Sequence, residues 1–204
     1  MKRRDFLLSG GALASGLLAT TATSISWSLN DKDSGTAVRK VSREDQKQMS
    51  LTQLHDEWTD FLPEGFAEVD PSDTVELSEK EWRERLTDPL AFSVLRKEGT
   101  ERPFTSPLNS EKRKGVYVCS ACDLPVFTSA MKFDSGTGWP SFFTSIPGAF
   151  KTKRDFKLIL PRTEYHCTRC GGHHGHVFND GPAPTGQRWC NNGVSLRFAP
   201  KESA

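Results

Sequence analysis

Five cysteines are spread over 204 residues, and their spacing sorts them into two kinds. Cys119-Ser120-Ala121-Cys122 and Cys167-Thr168-Arg169-Cys170 are CxxC pairs, while Cys190, in "RWCNN", stands alone. A CxxC turn points two thiolates at one ion, and two such turns complete the tetrahedral thiolate shell of a structural zinc site. Disulfides are the rival reading in an oxidising compartment. A redox-active CxxC needs one low-pKa thiol, usually at a helix N-terminus, and neither pair has that setting. We therefore expect one structural Zn2+, held by Cys119, Cys122, Cys167 and Cys170, and no organic cofactor. Four thiolates close the shell, so this ion holds the fold and leaves any chemistry to other residues.

Cys190 is the thiol left over. Most free cysteines are small buried apolar residues, but chemistry-bearing side chains surround this one. Arg188, two residues earlier, can favour a thiolate if both project from one face of an extended chain. Asn192, two residues later, supplies uncharged hydrogen-bonding groups. Just upstream, "GGHHGHVFNDG" holds His173, His174 and His176. No acidic pattern there completes a second metal site. The histidines read better as proton donors beside a nucleophile, as reductive chemistry on an oxygen-bearing substrate requires. A third segment, "FDSGTGWPSF" (residues 133–142), fixes Trp139 in a glycine-flanked turn, where a core tryptophan would look the same.

Short β-like pieces must position these groups. Beyond Gly115, "GVYVC", "FKLIL" and "GVSLRF" are strand-sized and rich in β-branched or aromatic residues. Helical patterns precede them. Leu51, Leu54, Trp58 and Phe61/Leu62 share a helical face in "SLTQLHDEWTDFL", with His55 read as a surface residue. "SEKEWRERL" opens with a capping box from Ser78 to Glu81. Asp88-Pro89 starts "LAFSVLRKEG", which Gly99 is expected to end. Helices first, then an antiparallel β domain, gives an α+β, mainly β class: two small antiparallel sheets with helices at the N-terminal side.

The chain carries 27 Lys and Arg against 26 Asp and Glu. Lys2, Arg3, Arg4 and Asp5 fall in an N-terminal address, so the body is close to neutral and offers no basic stripe for nucleic acid. "MKRRDFLLSGGALASGLLATTA" has the basic start and the Gly- and Ala-interrupted apolar middle of an export signal, and its paired arginines look like the twin-arginine type. We expect residues 1–30 to be that signal, 31–74 a linker with a short helical extension, and 75–204 the catalytic domain. Contact with a membrane is expected only through the signal, and the exported chain is expected to be a periplasmic monomer.

"GTERPFTSPL", both CxxC pairs, "FDSGTGWPSF" and "HHGHVFNDGPAPTGQRWCNNGVSLRF" together closely resemble methionine-R-sulfoxide reductases of the B type, over about residues 76–198. The resemblance implies that Cys190 attacks the sulfur of methionine sulfoxide in oxidised proteins or peptides. It implies that His173 and His176 serve as the pocket histidines and that Asn192 helps hold a water network. Arg188 would support the thiolate, Asp180 would orient the polar side, and Trp139 would form the wall against the substrate methyl group. His174 falls at a variable position and receives no role. Many members resolve the sulfenic acid with a cysteine in the tryptophan loop, where this chain has Thr137. An external, thioredoxin-like thiol is therefore expected to recycle Cys190. A zinc-ribbon nucleic-acid binder and a non-catalytic zinc-stabilised module are the rival classes. Net charge opposes the first, and the company of Cys190, His173 and His176 opposes the second.

Overall fold

The computed structural model describes residues 50–67, 69–156 and 161–201. The proposed signal, most of the linker and residues 157–160 of "FKLIL" lie outside the described residues. Among the described residues nine strands form two antiparallel sheets, with three short helices ahead of them in the chain, so the α+β, mainly β class holds.

Helix α1 (Leu51–Asp56) starts at a capping box in which Ser50 accepts from the Gln53 amide and the Gln53 side chain accepts from Ser50 N–H. Such a cap contributes about 1 kcal/mol. The helix is shorter than its apolar spacing suggests, because the chain tightens into a 3-10 turn over Trp58–Phe61. Leu54 and Phe61 are nonetheless buried, so the expected face docks. His55 is no surface residue: it is half-buried and its Nε2 lies 2.9 Å from the Thr144 hydroxyl.

Helix α2 (Glu79–Arg85) carries the Ser78–Glu81 capping box. Helix α3 (Pro89–Lys97) begins where Asp88 accepts from the Leu90 amide at 2.8 Å. It buries Ala91, Phe92, Val94 and Leu95. The left-handed residue that ends it is Glu98 (φ 54°), one place before Gly99, whose amide bonds back to the Ser93 carbonyl.

The first sheet has the order β2-β1-β9, from β2 (Pro125–Thr128), β1 (Gly115–Cys119) and β9 (Leu196–Pro200). "GVYVC" is β1 as expected. "GVSLRF" becomes a strand only at Leu196, because Gly193–Ser195 forms a 3-10 turn. Glu101, itself buried, accepts from the amides of Gly193 and Val194 and holds that turn. Burial pushes the Glu101 carboxyl upward, against those two amides.

The second sheet has the order β3-β4-β8-β7-β6-β5: β3 (Lys132–Phe133), β4 (Ser141–Phe142), β8 (Arg188–Asn191), β7 (His173–Phe178), β6 (Arg162–Cys167) and β5 (Phe150–Asp155). Phe127 of the first sheet stacks on Phe142 of the second with ring centroids 3.9 Å apart. Around that contact pack Tyr117, Phe150, Tyr165 and Trp189. The cysteine pairs meet where the two sheets approach each other, since Cys119 ends β1 and Cys167 ends β6. Among the described residues no helix is long and apolar enough to cross a membrane.

Candidate active site

Cross-strand partners in a sheet project to the same side. Register therefore sets one row across five strands: Ser141, Cys190, His176, Glu164 and Lys153. Arg188, Phe178, Arg162 and Asp155 are each displaced by two residues from a member of that row, and so share its face. Gly175 must lack a side chain for the row to close. A Cβ there would sit 1.9 Å from the Cys190 carbonyl oxygen.

His173 and His176 are three residues apart, which in an unbroken strand would put them on opposite faces. A bulge removes the conflict. Tyr165 pairs with Gly175 and the next residue, His166, pairs with His173, so His174 has no partner in the ladder. An extra residue of this kind re-aims the chain. The His173 and His176 rings consequently lie 5.5 Å apart. His174 turns inward and is fully buried, with Nδ1 3.2 Å from Asn191 Oδ1 and Nε2 3.4 Å from Cys119 Sγ. Burial lowers its pKa to about 3, so it is neutral.

Cys190 is half-buried in a cleft of about 120 Å³, bordered by Trp139, Arg162, His176, Phe178 and Asn192. Trp139 is fixed by an indole N–H donated to the Glu101 carbonyl at 3.2 Å. His176 Nε2 lies 2.8 Å from Asp155 Oδ2, which also accepts from Arg162 at 2.6 Å. Burial lowers the His176 pKa, against the pull of Asp155.

His173 stands a layer behind. It is 3% exposed, and its Nδ1 is 2.7 Å from Glu164 Oε1. The other Glu164 oxygen meets Lys153 at 3.3 Å. Asp180 is exposed and reaches the site only through Arg188, which donates to both its oxygens at 2.9 and 3.0 Å. Asn192 is committed to the fold. Its Oδ1 accepts from the Glu101 amide and its Nδ2 donates to the His174 carbonyl, and these bonds fix it where it borders the cleft.

Two effects compete at the thiol. Burial pushes the Cys190 pKa up, while the Arg188 guanidinium and a hydrogen bond from Thr137 pull it down. Burial wins, so Arg188 moderates the thiol without making it a resting thiolate. Thr137 ends a chain of hydroxyls: Ser135 Oγ lies 2.8 Å from Thr137 Oγ1 and 2.7 Å from Ser141 Oγ.

Cys119, Cys122, Cys167 and Cys170 are all buried, and their sulfurs lie within 4.8 Å of one another. The Cys119–Cys170 and Cys122–Cys167 separations are 3.7 and 3.6 Å. A tetrahedron with Zn–S near 2.3 Å spaces its sulfurs by about 3.8 Å, so the four fit that ion. Any metal held there would have no open position for substrate.

Residues 87–200 match the family model described as the SelR domain, more than half of the chain. The chain belongs to the methionine-R-sulfoxide reductase B family. "Peptide methionine sulfoxide reductase MsrB" of Agrobacterium fabrum is 52% identical over 130 residues, which is 63% of this chain and 96% of that protein. Its namesake in Methanosarcina barkeri is 53% identical over 129 residues, 63% of this chain and 90% of its own. "Peptide methionine sulfoxide reductase B1, chloroplastic" of Arabidopsis thaliana is 42% identical over 166 residues, 81% of this chain and 82% of its own.

Four site residues had no role in the sequence reading: Glu101, Asp155, Arg162 and Glu164. Glu101 sits inside a quoted motif, and the alternation in "RTEYH" puts Arg162 and Glu164 on one face. Only the strand register aims that face at Cys190. Glu164 has the most direct test. Glu164→Gln keeps the shape but removes a buried charge from His173. We expect the family reaction to lose roughly tenfold in kcat with KM and metal content unchanged, since hydrogen bonds to charged groups contribute about 1.5–3 kcal/mol. An unaltered kcat would show that the pair does not act on His173 during turnover.

Proposed function

We propose that this chain reduces methionine-R-sulfoxide in oxidised polypeptides, with Cys190 as the nucleophile and a sulfenic acid as the intermediate. As a member of its family the chain is an oxidoreductase, a peptide-methionine (R)-S-oxide reductase. The observation that carries the finer reading is the direct cross-strand pairing of Cys190 with His176, in a cleft walled by Trp139.

The step balances from the thiol form. The Cys190 S–H bond and the substrate S–O bond break, a Cys190 S–O bond forms, and the proton passes to the transferred oxygen. The methionine sulfur is reduced and Cys190 is oxidised to a sulfenic acid. Because burial keeps both the thiol and His176 near neutrality at rest, His176 is suited to take the thiol proton and return it to oxygen. Arg188, held in place by Asp180, and the Thr137 hydroxyl stabilise sulfur as negative charge develops on it. A bound zinc would supply rigidity alone, by holding β1 and β6 together.

Recycling needs a reductant. One external thiol displaces water from the sulfenic acid to give a mixed disulfide, and a second thiol releases Cys190. Thr137 stands beside Cys190 and cannot form that disulfide itself, which supports an external, thioredoxin-like donor. Zinc as the metal, twin-arginine export and periplasmic action complete the reading. They rest on the four-thiolate donor set and on Arg3 and Arg4.

Trp139 and the proton-bearing groups constrain opposite sides of the sulfur, so one epimer should be accepted. Resolved R and S sulfoxides of a blocked methionine make the test. Turnover of R alone is expected, and comparable rates on both epimers would refute the assignment.

A further inference from the structure

The described surface leaves three large apolar side chains exposed: Phe104 at 74%, Phe156 at 71% and Leu90 at 42%. Single exposed hydrophobes are ordinary. Phe104 is set apart by what holds it. Phe104 has φ +64°, in the left-handed region that bulky residues rarely adopt. Its amide donates to the Gly138 carbonyl at 2.7 Å, which also accepts from Asn109 Nδ2 at 2.9 Å. A Cβ on Gly138 would lie 2.8 Å from both the Phe104 ring and its amide nitrogen. Gly138 thus makes room for the ring beside Trp139. Since Trp139 is bonded in turn to the Glu101 carbonyl, the 101–104 loop and the tryptophan wall are clasped at two points.

The Phe104 ring is therefore anchored to the tryptophan wall of the Cys190 cleft while facing solvent. The cleft itself encloses about 120 Å³, well under the roughly 300–1,000 Å³ of pockets that swallow a drug-sized ligand. It has room for one thioether side chain, and the remainder of any substrate must lie on the rim. The charged groups nearest the rim are paired: Arg162 with Asp155, and Arg188 with Asp180. A free amino acid would bring an ammonium and a carboxylate to groups already neutralised. A polypeptide would bring amides and apolar neighbours to the exposed Phe104 ring.

We propose that Phe104 forms the docking rim for the polypeptide segment flanking an oxidised methionine, and so sets a preference for chain-bound over small sulfoxides. This rests on the sulfoxide-reductase reading above. The probes are a blocked methionine-R-sulfoxide and a short peptide carrying the same R-sulfoxide between apolar residues, assayed on the full, metal-loaded protein. Phe104→Ala should lower kcat/KM on the peptide about tenfold, mainly through KM, as truncating an aromatic anchor does. The blocked amino acid should be unaffected. Phe104→Tyr, which keeps the ring, should retain peptide activity. Equal losses on both substrates would mean that Phe104 merely supports Trp139, and unchanged peptide kinetics would mean that the rim binds nothing; either overturns the proposal. Failure of the underlying reading looks different, because the wild-type protein would then reduce neither substrate.

Discussion

Cys190→Ser is expected to lower sulfoxide turnover by at least about a thousandfold, as removing a nucleophile does. A serine hydroxyl at this site has too little nucleophilic character at neutral pH. Metal content and thermal midpoint should stay close to wild type, because Cys190 lies on β8, away from the four-cysteine cluster. The wild-type protein given one equivalent of sulfoxide and no reductant should gain one oxygen in mass. The adduct should map to Cys190 and react with a dimedone-type trap. Thr137 hydrogen-bonds the thiol, so Thr137→Cys brings a second sulfur within reach and should replace the oxygen adduct by an internal disulfide. A wild-type disulfide between Cys190 and any CxxC cysteine, with loss of metal, would overturn the external-thiol cycle.

Cys119→Ser or Cys167→Ser should be the most destabilising single change. The protein is expected to contain one zinc per chain, measurable by elemental analysis. A structural zinc contributes about 10–16 kcal/mol of apparent binding energy, as much as the roughly 5–15 kcal/mol by which whole domains are stable. A hydroxyl cannot replace a thiolate ligand at equal strength. Either variant should therefore lose zinc and most of its cooperative thermal unfolding. The stapled elements explain why: Cys119 ends a strand of one sheet and Cys167 a strand of the other. A metal-free wild type of full stability would sink this account.

Much of the site could be read from residue types. The paired CxxC units, the lone Cys190 and the glycine-set Trp139 carry their chemistry in local spacing. So do Ser78–Glu81 and Asp88-Pro89, since caps depend on residues within one turn. Long-range pairing was not legible. Alternation tells which side of a strand a residue takes, but not which strand lies opposite or where a bulge intervenes. Hence Glu164 was passed over although it pairs with His176, and Asp155 although it bonds that ring. The partners of Asn192 were hidden for the same reason. Its amide is bonded to two backbone segments that lie far from it in sequence or across a bulge.

The unpaired His174 bears on how this gene can change length. Counted along the ladder, His173 and His176 are two steps apart, an even number, and this parity puts them on one side. An in-frame codon inserted into β6 between Tyr165 and His166 would give His174 a partner, make the count odd, and send His173 to the opposite face. The insertion would touch no residue of the cleft and add no charge. Such a variant would keep every residue of the motif, yet lose the histidine behind the nucleophile and turn Cys167, the last residue of β6, away from the four-cysteine cluster. Deletion of His174 would spare the parity and instead cut the only described side chain that touches both Cys119 and Asn191.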